Sequence, residues 1–137
     1  MTEKVVLDTN VFISALFWKG PPHAVFRHSV SGNLRNSVSS AILKEIEERL
    51  LNKFHVPQEK VQEFLEVIVY NSEVVYPKTK ARVTLRDPKD NKILDCALEA
   101  KASFIITGDK DILDIQKYRG IIMISPREFV KEYIHKK

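Results

Sequence analysis

Cysteine is almost missing from this chain. Cys96 is the only one among 137 residues, which excludes an internal disulfide. It falls in a helical apolar pattern and reads as a small buried hydrophobe. No apolar run approaches the roughly 18 residues that span a bilayer, so no transmembrane helix and no membrane partner are expected. Met1-Thr2-Glu3-Lys4 leads straight into an apolar stretch without a signal-peptide pattern, and the cytoplasm is the expected compartment. Repeats, low-complexity tracts and linkers are missing too, which leaves one domain over residues 1–137. The histidines, His23, His28, His55 and His135, are scattered, with no cysteine or histidine at zinc-binding spacing. Each reads as a surface or locally bonded residue.

The chain does have enough apolar residues, 44%, to bury a core, and a mild excess of base, net +4 with a pI of about 9.2. Taken alone, that charge describes an ordinary soluble surface. It gains meaning if acids gather in one pocket. The rest of the surface is then more basic than the total, which suits a polyanionic partner. The tail Lys136-Lys137 reads as solvated.

Strand and helix patterns alternate. Lys4–Leu7 reads as a buried strand, Val11–Trp18 as a helix stopped near Gly20, and Pro21-Pro22 as the first turn of a helix to about Val30. Ser31-Gly32-Asn33 is a turn, and Arg35–Val38 a short strand. Ser39-Ser40 caps a helix from Ala41 to about Lys53, and Pro57 opens another to about Tyr70. Val74–Tyr76 is ambiguous. Asp87-Pro88-Lys89-Asp90 opens a helix to about Lys101, and Phe104–Thr107 is a strand. Ile112 to about Arg119 reads as a short helix, Ile121–Ile124 as a strand, and Pro126 starts the last helix. This order predicts an α/β fold, a mostly parallel sheet with helices on both faces. Pro77–Arg86 is the expected long loop; it carries Lys78, Lys80, Arg82 and Arg86 and no acid.

Two strands end in acid. Val5-Val6-Leu7 runs into Asp8, and Phe104-Ile105-Ile106 into Thr107-Gly108-Asp109-Lys110-Asp111. Either acid alone is a routine helix cap. Both at the carboxyl edge of one parallel sheet lie where such sheets bind ligands. Asp90 is either the third residue of its helix, where an acid favours the dipole, or, since the buried stripe at +3, +4 and +7 is Ile93, Leu94 and Ala97, an acid pointing toward the same edge. Asp87 is either the cap of that helix or a further acid at the edge. Asp95 lies off the stripe and is expected in solvent. In Ala41–Glu48 the stripe is Ile42, Leu43, Ile46 and Leu50, with Glu48 opposite and Glu45 and Glu47 flanking it. Periodicity does not choose between Glu45 and Glu47. Crowded carboxylates repel unless a hard cation such as Mg²⁺ or Mn²⁺ joins them, and such an ion also serves phosphoryl chemistry.

These residues resemble PIN-domain ribonucleases over almost the whole chain, from "VVLDTNVFISAL" to the last helix. The likeness is closest to small prokaryotic stand-alone members that are toxins of toxin–antitoxin pairs (VapC-like). The family's opening motif matches Asp8-Thr9-Asn10, and its helical glutamate, shortly after a serine-rich helix start, matches Glu45 rather than Glu47. Glu47 is then expected in solvent. Its helix-opening aspartate matches Asp90 in "DNKILDCA", and its strand-end "TGDKDLL" matches Thr107–Leu113, with Asp109 binding metal and Asp111 accessory. The resemblance implies one or two Mg²⁺ or Mn²⁺ ions held by Asp8, Asp90, Asp109 and Glu45, with Thr9, Asn10 and Thr107 beside them. It implies cleavage of single-stranded RNA, a small antitoxin partner and a homodimer, and the basic loop with Lys78, Lys80, Arg82 and Arg86 is then a candidate RNA contact.

Two other readings compete. A haloacid-dehalogenase-like phosphatase also begins with a strand ending in acid, and Gly108-Asp109…Asp114 imitates its late motif. Its second nucleophile-motif aspartate is here Asn10, which removes the general acid. A non-catalytic RNA-binding PIN domain usually has a degraded acid set, whereas this set looks whole. Phe17-Trp18 reads as core or dimer contact rather than a platform for bases.

Overall fold

The computed structural model describes residues 3–78, 80–81 and 88–135. Arg82, Arg86, Asp87 and the tail Lys136-Lys137 lie outside the described residues.

The fold grows outward from its first strand. In β1 (Glu3–Leu7), Val5, Val6 and Leu7 are all fully buried, although successive side chains point to opposite faces. Both faces of the sheet are therefore covered, which is why the strand is a continuous apolar run. β1 pairs in parallel with β2 (Leu34–Val38) on one side and with β4 (Phe104–Ile106) on the other. β2 continues to β3 (Ser72–Val74), and β4 to β6 (Ile121–Ile124), both in parallel. The order is β3-β2-β1-β4-β6-β5, with the short β5 (Lys117–Tyr118) antiparallel at the edge. Val74 ends a strand that starts earlier than the ambiguous Val74–Tyr76 stretch suggested.

The helices are α1 (Thr9–Phe17), α2 (Pro21–Val30), α3 (Ser40–Asn52), α4 (Gln58–Tyr70), α5 (Asn91–Ala100), α6 (Lys110–Leu113) and α7 (Pro126–Phe129). A 3-10 turn, Pro88–Asp90, leads into α5, and a π-helical turn, Val130–Ile134, prolongs α7. Ser39 Oγ accepts from Ile42 N at 3.4 Å and starts α3. The stripe Ile42, Ile46 and Leu50 is fully buried, with Leu43 only partly so. On α5, Ile93, Leu94, Cys96 and Ala97 lie in the core. Truncating a buried leucine or isoleucine of this kind costs on the order of 2–5 kcal/mol.

Three expectations need correction. The helix expected over Ile112–Arg119 is α6 followed by a hairpin. Asp109 caps α6 at Lys110, so the helix begins two residues early. Tyr118 pairs with Ile121 across Arg119 (φ 49°) and Gly120 (φ 83°), two left-handed residues that make the tight turn natural to twisted strands. Asp95 is buried, not solvated. Its Oδ1 accepts from Ala81 N at 2.6 Å, because Lys80-Ala81 lies against a second face of α5. Phe17 and Trp18 are not core: they are 40% and 61% exposed, with Phe17 against Phe54 at 5.1 Å.

Candidate active site

The chain winds from β1 to β2 and β3 on one side, and to β4 and β6 on the other. The winding reverses between β1 and β4, and a crevice opens at their carboxyl ends, the place where open α/β sheets hold ligands. Asp8 leaves β1 there and Thr107-Gly108-Asp109 leaves β4. Asp8 N donates to Ile106 O at 3.0 Å and locks the two strand ends together.

Three successive side chains after β1 brace three different groups. Asp8 Oδ2 accepts from Thr107 Oγ1 at 2.7 Å. Thr9 Oγ1 donates to Glu45 Oε1 at 2.6 Å. Asn10 Oδ1 accepts from Arg49 Nη1 at 2.6 Å. The residues that look like turn formers in the sequence thus tie β1 to β4 and α3. Asp109 is held from the other side. Its N donates to Thr107 Oγ1 at 3.0 Å, and its Oδ1 accepts from Asp111 N at 2.8 Å and Ile112 N at 3.3 Å. That cap occupies one carboxylate oxygen and leaves Oδ2 for a ligand. Asp111 is half-buried in the first turn of α6.

The packing of α3 decides between its two flanking acids. Glu45 faces the crevice. Its Oε2 accepts from Lys92 Nζ at 3.0 Å and from Arg49 Nη2 at 3.2 Å. Glu47 lies on the other flank, toward α4, partly exposed, and accepts a solvent-exposed hydrogen bond from Gln62 Nε2 at 3.1 Å. Asp90, half-buried, heads α5 two residues before Lys92.

Charge is shared across the site. Burial pushes the Asp8 carboxyl up, the Thr107 hydrogen bond opposes that, and the charges of Asp109 and Glu45 push it further up. Burial also pushes Glu45 up. In its case the hydrogen bonds of Thr9 and Lys92 and the charges of Arg49 and Lys92 outweigh burial and hold it below the usual glutamate range. Crowded, oxygen-only acids of this kind suit a hard dication rather than a soft one. Among the described residues, no three of the His, Cys, Asp and Glu side chains stand close enough to form a finished metal site. Asp8, Glu45 and Asp109 are near enough to feel one another's charge, and each is pinned by the protein on at least one side.

The basic residues expected to meet RNA are placed less centrally. Lys78 and Lys80 are exposed. Lys78 N donates to Glu99 Oε1 at 2.9 Å, and Lys80 Nζ lies 3.7 Å from Asp95. Among the described residues, Lys92 and Arg49 reach Glu45, and neither was singled out from the sequence. Arg49 left a signal, four residues after Glu45 on one helix. Lys92 left none, since its partner lies on another helix.

A PIN domain family model matches residues 4–111. Over 143 aligned residues the chain is 36% identical to the uncharacterized protein MJ1680 of Methanocaldococcus jannaschii, covering 95% of this chain and 91% of that one. VapBC2 from Rickettsia felis, solved bound to a DNA fragment from their promoter, superposes with a TM-score of 0.61. It shares 13% identity over 89% of this chain and 98% of that one. The PIN domain of T. brucei RRP44 superposes at 0.52, again with 13% identity, over 96% of this chain and 80% of that one. These two likenesses carry the fold alone. Among the described residues no helix is long and apolar enough to cross a membrane. The family match, on this parallel sheet with its acids at the β1–β4 crevice, places the chain in the PIN domain family, whose members are generally nucleases that use divalent metal ions.

Proposed function

We propose that the protein is a metal-dependent endoribonuclease that hydrolyses phosphodiester bonds of single-stranded RNA, acting as the toxin of a toxin–antitoxin pair. The observation that carries this reading is the meeting of Asp8, Glu45 and Asp109 at the β1–β4 crevice, felt in the raised pKa of Asp8. Asp8, Asp90 and Asp109 would hold Mg²⁺ or Mn²⁺, with Glu45 beside them. A bound ion of this type lowers the pKa of a water and polarises a phosphoryl group. The chain's own residues supply orientation. Thr107 aims Asp8, the α6 cap fixes one oxygen of Asp109, and Thr9 holds one oxygen of Glu45.

The antitoxin extends to this chain the two-component pairing carried by the name VapBC2. Two apolar openings that share Leu16, Phe64 and Val67, one reaching Phe17 and the other Phe26, are the seat we assign to it. The homodimer and the cytoplasmic setting rest on the family likeness and the composition.

The test is single-turnover cleavage of a labelled single-stranded RNA oligonucleotide. Cleavage is expected in Mn²⁺ and is lost both in excess EDTA and in Asp109→Asn. Mn²⁺ should also raise the melting temperature of the native protein through ligand linkage, and far less that of Asp109→Asn. Cleavage surviving both chelation and the substitution would move the chemistry elsewhere. Phosphate release from a small phosphomonoester would favour the phosphatase reading, and RNA binding without cleavage in Mn²⁺ the non-catalytic one.

A further inference from the structure

Glu45 Oε2 is held by two cations from two helices, Lys92 of α5 and Arg49 of α3. Both cations therefore stand at the edge of the acid crevice, whose Asp8 and Asp109 charges Glu45 adjoins, and are placed to meet an anion that approaches it. Neither cation is sealed in. The Lys92 side chain is 20% exposed and that of Arg49 35%. Each fronts a separate opening. Lys92 lines, with Lys80, Asn91 and Asp95, a cleft of about 450 Å³. Arg49 lines, with Glu45, Glu48, Asn52 and Lys53, a shallow one of about 460 Å³. Both cations are also aimed by the protein. Arg49 is clamped between Asn10 Oδ1 and Glu45, so its fork is already oriented, and an oriented guanidinium loses less freedom on meeting a phosphate.

We propose that Lys92 and Arg49 are phosphate-binding residues that receive the backbone of single-stranded RNA on either side of Glu45 and so position the scissile phosphate at the acid crevice. The proposal rests on the ribonuclease reading above for its substrate. The strand runs from the Lys80–Lys92 cleft, past Glu45, to the Arg49–Lys53 side. At rest Glu45 stands in for the phosphate and keeps both cations in place. Lys92 and Arg49 are positioning residues, and the acids remain the groups at the reacting centre.

The test is binding of a labelled single-stranded RNA oligonucleotide by fluorescence anisotropy in Ca²⁺ over a range of salt, read before any cleavage develops. The native protein, Lys92→Met, Lys92→Arg and Arg49→Met are compared, with cleavage in Mn²⁺ followed alongside. Lys92→Met and Arg49→Met should each weaken binding on the order of tenfold and flatten the salt dependence by about 0.7 in log–log slope per lost contact. Lys92→Arg should restore both. The Mn²⁺-induced rise in melting temperature should persist in all three, because the acids are untouched. Unchanged affinity and slope in Lys92→Met and Arg49→Met would overturn the proposal, as would loss of the Mn²⁺ shift with binding intact, which describes support of Glu45 alone. Should Lys92→Met fail to fold, the more exposed Arg49→Met carries the same comparison. A native protein that binds but never cleaves would refute the nuclease reading while leaving this binding role standing.

Discussion

Asp8 is a charge kept where folding alone would not keep it. Its folded pKa lies above the ordinary 3.8, first because it is buried and then because Asp109 and Glu45 crowd it. The sign follows directly. Its contribution to stability is present in acid, below the unfolded value, and is lost as pH rises through the folded one. Near neutrality the ionised form opposes folding. Asp8→Asn is therefore expected to melt higher than the native protein at pH 7 without metal, with the gap closing toward pH 4. The same variant should lose most of the stabilisation by Mn²⁺. A lower metal-free melting temperature at pH 7 would show that the carboxylate supports the fold instead. Glu45 has the opposite sign: held below its ordinary 4.5, it contributes stability above that value and loses it as pH falls through the folded pKa. At this scale the sequence was readable where a residue's neighbours are its chain neighbours. Asp8 and Asp109 were visible because each ends an apolar strand. Lys92 was not, because its meeting with Glu45 is made by the packing of α3 against α5.

Among the elements, α3 gives the sharpest case. Its apolar stripe was legible and is buried as a stripe, yet two glutamates flank such a stripe equally. What separates them is that α1 and α5 lie on one flank and α4 on the other, a fact of topology that helical periodicity does not contain. Replacing Glu47 by Gln should change stability by no more than about 0.5 kcal/mol and leave cleavage intact, since Gln62 keeps an acceptor. Replacing Glu45 by Gln should slow single-turnover cleavage at saturating Mn²⁺ on the order of 10²-fold or more. The reverse pattern would mean that α3 is rotated about its axis in the working enzyme. The long elements were readable for a related reason: each carries its own period, cap or proline. The two-residue β5 has neither length nor period. Its only mark is the Arg119-Gly120 turn, and arginine is an unusual residue for a left-handed turn position. Asp95 escaped because the segment that buries it has no periodic pattern of its own.

In the molecule as a whole, the sheet is built from both ends of the chain around its first strand, and the core closes over Cys96. That thiol has no exposure, and burial pushes it up to about 12. It should therefore react with a thiol reagent at pH 8 only when the protein opens, so its modification rate reports unfolding. Mn²⁺ should slow that rate in the native protein and much less in Asp109→Asn. Rapid reaction of the folded protein would contradict the packing of α5 against β1 and β4. The hydrogen bond from Thr107 to Asp8 joins residues 99 positions apart. The bond that aims Asp8, and the cap that places Asp109, do not exist until the chain has been made through β4 and α6. A nascent chain thus carries every early part of the acid crevice without its function. Under the ribonuclease reading, the RNA most exposed to the new protein, its own messenger, is spared until β4 and α6 have been made.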